Sequence, residues 1–306
     1  MLQYQNLIDE VLRDGQERVE HNGKTDIFIP SAMMKFDLRE CVPFITKGSS
    51  YNQVIGEIIG FIRGYEDAVD FRALGCKICD SALNKKWLSS PYRRSKDDVG
   101  KTYGSLWRSR TVYKKDTVTT DKKKYLESCG YHHLANSTHA RIYYKNIDQL
   151  YEVINDIINF PNNRRIIMHA WFPELFDEMS SPVIRCLYQF IPDEKNKVLH
   201  MSMIQRSCDL ITTPFNISSC VVLLGLIAKA TGYNPGIFTY YLNDVHLYEE
   251  NILKATSGEL HKLLKFRKLV IKKRVDSFKI IDVMAWLCCI APSDIMLKEY
   301  SAKIGE

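Results

Sequence analysis

Residues 54–64, VIGEIIGFIRG, are apolar on almost every side, and Glu57 is the one acid inside the run. A helix without a polar face has to be covered by other layers of structure. The carboxylate within it needs a partner or a job. Phe215 to Thr231 reads as a second, longer apolar helix. A chain of 306 residues, 45% hydrophobic and 25% charged, is large enough to bury both in one substantial core and small for two full domains. One domain over 1–306 with insertions is the simplest organisation.

Around these runs, helix and strand signals alternate. Leu7, Ile8, Val11 and Leu12 recur at helical spacing within residues 3–20, and Asp14-Gly15 ends the pattern. Strands are expected at Asp26 to Pro30 and Ala32 to Leu38. A surface helix is expected at Ile147 to Phe160, stopped by Pro161. Further strands are expected at Arg165 to Ala170, Cys186 to Ile191, Leu199 to Gln205 and Leu269 to Lys273. No repeat of 20 to 50 residues is present, so the class is α/β or α+β.

The nine cysteines are odd in number and scattered, the usage of a reducing compartment. Cys76 and Cys79 form an isolated CxxC with no second pair at ligand spacing, so packed thiols are expected there, and no metal site. The N-terminal stretch lacks an apolar signal core, and no stretch reads as a membrane span of about 18 to 20 apolar residues. A cytoplasmic protein is expected. The formal charge is +6, and the surplus gathers between Arg108 and Lys145. Such a segment suits nucleic acid or any anion. A solvated basic loop inserted at about 109–145 is the simpler reading, with no nucleic-acid partner.

Five blocks carry a more specific signal: IQRSCDLITTPFNISSCVVLLGLIAKA at 204–230, RRIIMHAW at 164–171, YGSLWR at 103–108, DVHLY at 244–248, and the helix containing Glu57. In this order and spacing, from about residue 4 to 281, they resemble the thymidylate synthase and pyrimidine hydroxymethylase family. The resemblance implies a twisted mixed sheet surrounded by helices and packed against the same sheet of a partner subunit. It also implies a pyrimidine nucleotide 5′-monophosphate as ligand. Arg206 and Ser207 would bind the phosphate, joined by Arg164 and Arg165 from the other subunit of a homodimer with shared sites; guanidinium forks suit a doubly charged phosphate. Asn216 would read the base, since a carboxamide can donate to O4 and accept from N3–H of uracil. Gln205 belongs to the same substrate-binding run, and Asp209 is the residue the family aims at the pterin. His246 and Tyr248, two apart on an extended segment, would hold the ribose 3′-hydroxyl. Glu57 would relay protons, and Tyr103 is a further catalytic position.

The resemblance breaks at the nucleophile. The family's cysteine, whose thiolate adds to C6 of the ring, falls at Ile184, and its usual histidine neighbour falls at Arg185. Cys186 lies two residues on, about 7 Å away along a strand, and becomes the nominal nucleophile if a bulge near Pro182 shifts the strand. The one-carbon donor implied is 5,10-methylenetetrahydrofolate. Its stacking tryptophans fall at Cys79 and Ala82, the loop from Asp209 to Pro214 is one residue short, and a phosphate-binding arginine falls at His21. The tail at about 282–306 is unlike the family's. Three readings follow: C5 one-carbon transfer to a dUMP-like nucleotide, with small residues at the tryptophan positions favouring hydroxymethylation over methylation; a homologue that binds a pyrimidine nucleotide, or pairs with an active relative, without catalysis; and folate-independent chemistry on a modified nucleotide.

Overall fold

The structure, a computed structural model, describes residues 2–20, 23–40, 42–43, 49–117, 120–137, 140–257 and 267–299. The helices are α1 (Leu2–Asp14), α2 (Ser49–Arg63), α3 (Ala68–Ala73), α4 (Lys85–Leu88), α5 (Tyr103–Arg108), α6 (Thr120–Ser128), α7 (Gln149–Asn159), α8 (Thr213–Thr231), α9 (Glu249–Thr256) and α10 (Ile280–Cys289). The strands are β1 (Gln16–Val19), β2 (Thr25–Asp37), β3 (Arg110–Asp116), β4 (His132–Ser137), β5 (Ala140–Ile147), β6 (Ile167–His169), β7 (Arg185–Asp193), β8 (Val198–Gln205), β9 (Cys208–Asp209), β10 (Asn234–Tyr248), β11 (Arg267–Ile271) and β12 (Ile295–Glu299). His21, Cys41 and residues 300–306 of the tail lie outside the described residues.

A mixed sheet in the order β1-β2-β10-β8-β7-β6 organises the molecule, with β9 also on β10. Its β10–β8 pairing is parallel and its β2–β10 and β7–β8 pairings are antiparallel. The two stretches expected around Pro30 are one strand. Pro30 has no donor for the ladder, and it falls between the pairs Ile29↔Val245 and Ser31↔Asn243, opposite Asp244 at φ 52°. The irregularity on both strands accommodates the proline without ending β2.

Helices α2 and α8 fill the core against the inner face of this sheet. Ile58, Ile59 and Ile62 are at most 1% exposed, as are Val222, Leu223 and Leu226. By length and composition α8 could cross a membrane, which corrects the expectation that no stretch qualifies. Here 83% of the qualifying window is buried inside the fold, so its apolar surface is already covered. Helix α7 starts on an Asp148 side chain that accepts from Tyr151 N and buries Leu150, Val153, Ile154 and Ile157 on one face. Residues 109–145 are not a loop: β3, β5 and β4 form a separate antiparallel sheet, with α6 leading into β4. Leu126 and the fully buried Tyr143 give it an apolar anchor that the surrounding lysines obscure in the sequence. In the tail, β12 pairs with β11 in a two-stranded sheet.

The acid in the first apolar run finds its partner across the core. Arg185 Nη2 donates to Glu57 Oε2 at 3.0 Å, and Ser219 Oγ of α8 donates to the same oxygen at 3.0 Å. One contact set therefore ties α2, β7 and α8 together. The Arg185 guanidinium also lies 4.6 Å from the Tyr103 ring centroid. A second tie closes the loop before α5. Asp98 accepts from the Arg94 backbone at 2.7 Å, from Arg94 Nη2 at 2.9 Å and from the Gly100 backbone at 2.8 Å. Burial pushes the Asp98 carboxyl up, but these bonds outweigh it and hold the group at about 2.

Two stability outcomes follow from these ties. Breaking a buried pair leaves an uncompensated charge, so Glu57→Gln should cost about 3–5 kcal/mol in urea unfolding, and the double Glu57→Leu/Arg185→Met change should cost less than either single change. Asp98→Asn should cost about 1–2 kcal/mol at pH 7, after allowing for the exposure of Arg94. Because the folded carboxyl sits below its ordinary value, that difference is present above about pH 4 and should vanish as pH falls through 2.

Candidate functional site

A cavity of about 490 Å³ opens between α2, the single turn Ile78–Ala82, the residues leading into α5, the approach to β7 and the start of α8. Each wall is fixed locally. Gly56 on α2 lets the chain at 74–76 come close: a Cβ there would meet the Leu74 carbonyl oxygen at 2.7 Å and Cys76 Cβ at 2.9 Å. Thr102 caps α5 through a reciprocal box with Ser105, which places Tyr103 on the first turn. The Tyr103 hydroxyl then accepts from the backbone N–H groups of Ile184 at 2.9 Å and Arg185 at 3.1 Å. Tyr103 thus pins the start of β7 and stands on the cavity wall.

Several expected site residues meet at this cavity. Glu57, Tyr103 and Asn216 line it, together with Ile184, Arg185 and the two small residues Cys79 and Ala82. Asn216 is 5% exposed, and its amide nitrogen has no hydrogen-bond partner among the described residues. Gln205 is fully buried: its Oε1 accepts from Tyr240, and its amide nitrogen is likewise without a partner among the described residues. Arg206 Nε and Nη2 donate to the carbonyls of Val183 and Pro182, both at 2.9 Å, and the guanidinium lies over the Trp171 ring. Ser207 next to it adopts φ 50°.

The second group lies along β9 and β10. His246 pairs with Asp209 in the ladder, and its ring meets Tyr248 edge-on at 5.2 Å, so the two share a side as expected. Burial raises the Asp209 carboxyl. Burial and the neighbouring Glu20 push the Tyr248 hydroxyl up to about 12. The His246 ring nitrogen Nδ1 is 2.8 Å from the Asp244 carbonyl.

Cys186 is not on the cavity wall. The β7–β8 register slips between Arg185 and Leu187, so a bulge exists, but it turns Arg185 inward and leaves the Cys186 thiol pointing at the Ile184 carbonyl, 3.4 Å away. Burial pushes that thiol up, the reverse of what a thiolate nucleophile needs. Among the described residues Cys79 is the cysteine that lines the cavity, and in the sequence it was legible as half of an isolated CxxC and as a missing tryptophan. Arg164 and Arg165 precede β6 at the other end of the sheet. Ile167 pairs with Gln189, so Arg165 is level with Ile191, six residues along β7 from Arg185, or roughly 20 Å. Within one chain they do not reach Arg206.

Comparison with known proteins identifies the family. The family model described as Thymidylate synthase matches residues 2–304. A thymidylate synthase of Pseudomonas syringae pv. tomato is 37% identical over 98% of this chain and 96% of its own length. One of Pseudomonas putida is 35% identical over the same shares. A bifunctional dihydrofolate reductase-thymidylate synthase of Zea mays is 31% identical over 92% of this chain and 51% of its own length. The chain belongs to the thymidylate synthase family, enzymes that methylate dUMP at C5 and draw the one-carbon unit from 5,10-methylenetetrahydrofolate.

Proposed function

We propose that the cavity binds dUMP and that the protein transfers a one-carbon unit to C5 of its ring, acting as a homodimer in the cytoplasm. The observation that carries this reading is the Asn216 amide, buried on the cavity wall with its nitrogen unpaired among the described residues. A buried donor without a partner costs about 1–3 kcal/mol, and the O4 and N3–H edge of uracil meets a carboxamide on both sides. Arg206 supports a phosphate site: two carbonyls orient its guanidinium, and no carboxylate neutralises it among the described residues. Ser207 would add a hydroxyl donor, and the Gln205 amide, His246 and Tyr248 complete the nucleotide site. The two hydrogen bonds to Glu57 fall on Oε2, which supports Oε1 as the proton-relay oxygen.

The apolar wall of Ile78, Ala82, Ile211 and Phe215 suits a flat pterin, with Asp209, whose carboxyl burial raises, as a polar contact nearby. Bound there, 5,10-methylenetetrahydrofolate would supply the one-carbon unit. Cys79 and Ala82 leave that wall open to water, so the product assay has to separate 5-methyl from 5-hydroxymethyl nucleotide. The dimer rests on the outer sheet face, where Met33, Tyr241 and Ile204 lie side by side in register and are 57%, 43% and 38% exposed. A self-complementary apolar face of this kind suits a two-fold partner. That partner would bring its own Arg164 and Arg165 to the phosphate. All the described cysteines are free, which supports the reducing setting.

Incubation with dUMP and 5,10-methylenetetrahydrofolate should yield a C5-modified nucleotide, and absence of any product would defeat the reading. Asn216→Asp should shift preference from dUMP toward dCMP by about tenfold or more in kcat/KM, because a carboxylate accepts from the cytosine amino group. Arg165→Ala and Asn216→Ala proteins, each inactive, should recover roughly a quarter of wild-type activity when mixed and allowed to exchange subunits, since each mixed dimer holds one intact site.

A further inference from the structure

Arg185 has its charge matched but not its hydrogen bonds. It lines the cavity at 3% exposure, and its Nη2 donates to Glu57 Oε2 at 3.0 Å. Its Nε and Nη1 are buried with no partner among the described residues. A guanidinium donates from every nitrogen, and buried N–H groups left without an acceptor are costly. The rings of Tyr103 and Phe61, 4.6 and 5.6 Å from the guanidinium carbon, offer π faces rather than acceptor atoms. A second unmet donor lies close by. Ser219 Oγ reaches the same Glu57 oxygen as Arg185, and Asn216, its amide nitrogen also unpaired, stands three residues before Ser219 on α8. That spacing puts the two side chains on one face of the helix, about 5–6 Å apart. The Arg185 guanidinium and the Asn216 amide are therefore neighbours on the cavity wall.

The uracil edge proposed for Asn216 supplies O4 and N3–H, and it leaves Arg185 unserved. Past O4 the ring carries only C–H groups, at C5 and C6, and neither accepts a hydrogen bond. An oxygen attached through C5 would lie beside O4 and meet the second donor. We propose that Arg185 is a specificity-determining residue that donates to an oxygen on the C5 substituent, so that the cavity selects a 5-hydroxymethyl pyrimidine nucleotide over its 5-methyl counterpart. The inference rests on the transferase reading above and deepens it, because it names the hydroxymethyl nucleotide as the product that the site holds.

The test is calorimetry with 5-hydroxymethyl-dUMP, dTMP and dUMP, the first two of which differ by a single oxygen. Wild-type protein should bind the hydroxymethyl nucleotide about tenfold or more tighter than dTMP. Arg185→Lys keeps a cation for Glu57 but loses both open nitrogens, and it should bring that ratio to within about threefold. Should this variant fail to fold by circular dichroism, the Glu57→Leu/Arg185→Met pair carries the same comparison. Asn216→Ala should weaken both nucleotides alike and leave the ratio standing. A wild-type ratio within about threefold, or a preference that survives loss of the guanidinium, overturns the assignment and leaves the transferase reading intact. So does an Arg185→Lys protein that loses affinity for all three nucleotides equally, because the guanidinium then holds a ring oxygen they share. Wild-type protein that binds none of the three sinks the transferase reading and this inference together. The expected ratio without any C5-modified product upholds the Arg185 contact and counts against the transferase reading alone.

Discussion

The Arg185–Glu57 ion pair is the constraint around which the rest of the molecule is arranged. Glu57 sits on the buried apolar face of α2, where an unpaired carboxylate costs several kcal/mol. Its counter-charge arrives from a strand 128 residues away, and the serine that completes it comes from α8. Folding the pair correctly therefore requires α2, β7 and α8 to dock together. The same docking sets the cavity, because its walls are the ends and edges of those elements.

This pair also reorganises the chemistry of the pocket. Where the family resemblance expects a thiol followed by an imidazole, the chain has an aliphatic side chain followed by a guanidinium whose charge is committed to the core. Tyr103, expected as a catalytic group, is occupied in holding two backbone N–H groups of that same segment. The nucleotide contacts proposed for Asn216 and Arg206 depend on neither of these changes.

The sequence disclosed the parts of the fold that periodicity controls. The opening helix, α2, α7, α8 and strands β7, β8 and β11 lie within a few residues of where apolar spacing puts them. It disclosed less where a long-range contact decides. Glu57 could be recognised as needing a partner, but nothing local distinguishes Arg185 from other arginines. Pro30 looked like a strand break, because the compensating turn of Asp244 is more than 200 residues away. The segment 109–145 looked like a solvated loop, since lysines and arginines are scattered through it and its core is essentially Leu126 and Tyr143. Cys186 was placed by strict alternation, which a one-residue irregularity in β7 defeats.

That irregularity divides one strand into two independent surfaces. Before it, side chains answer to the ligand cavity; after it, they answer to the sheet and whatever packs on its outer face. Substitutions in the first part can alter chemistry while leaving the pairing of the second part in phase. An ancestral pocket could in this way trade its reactive residue for a structural charge while its scaffold stayed the same.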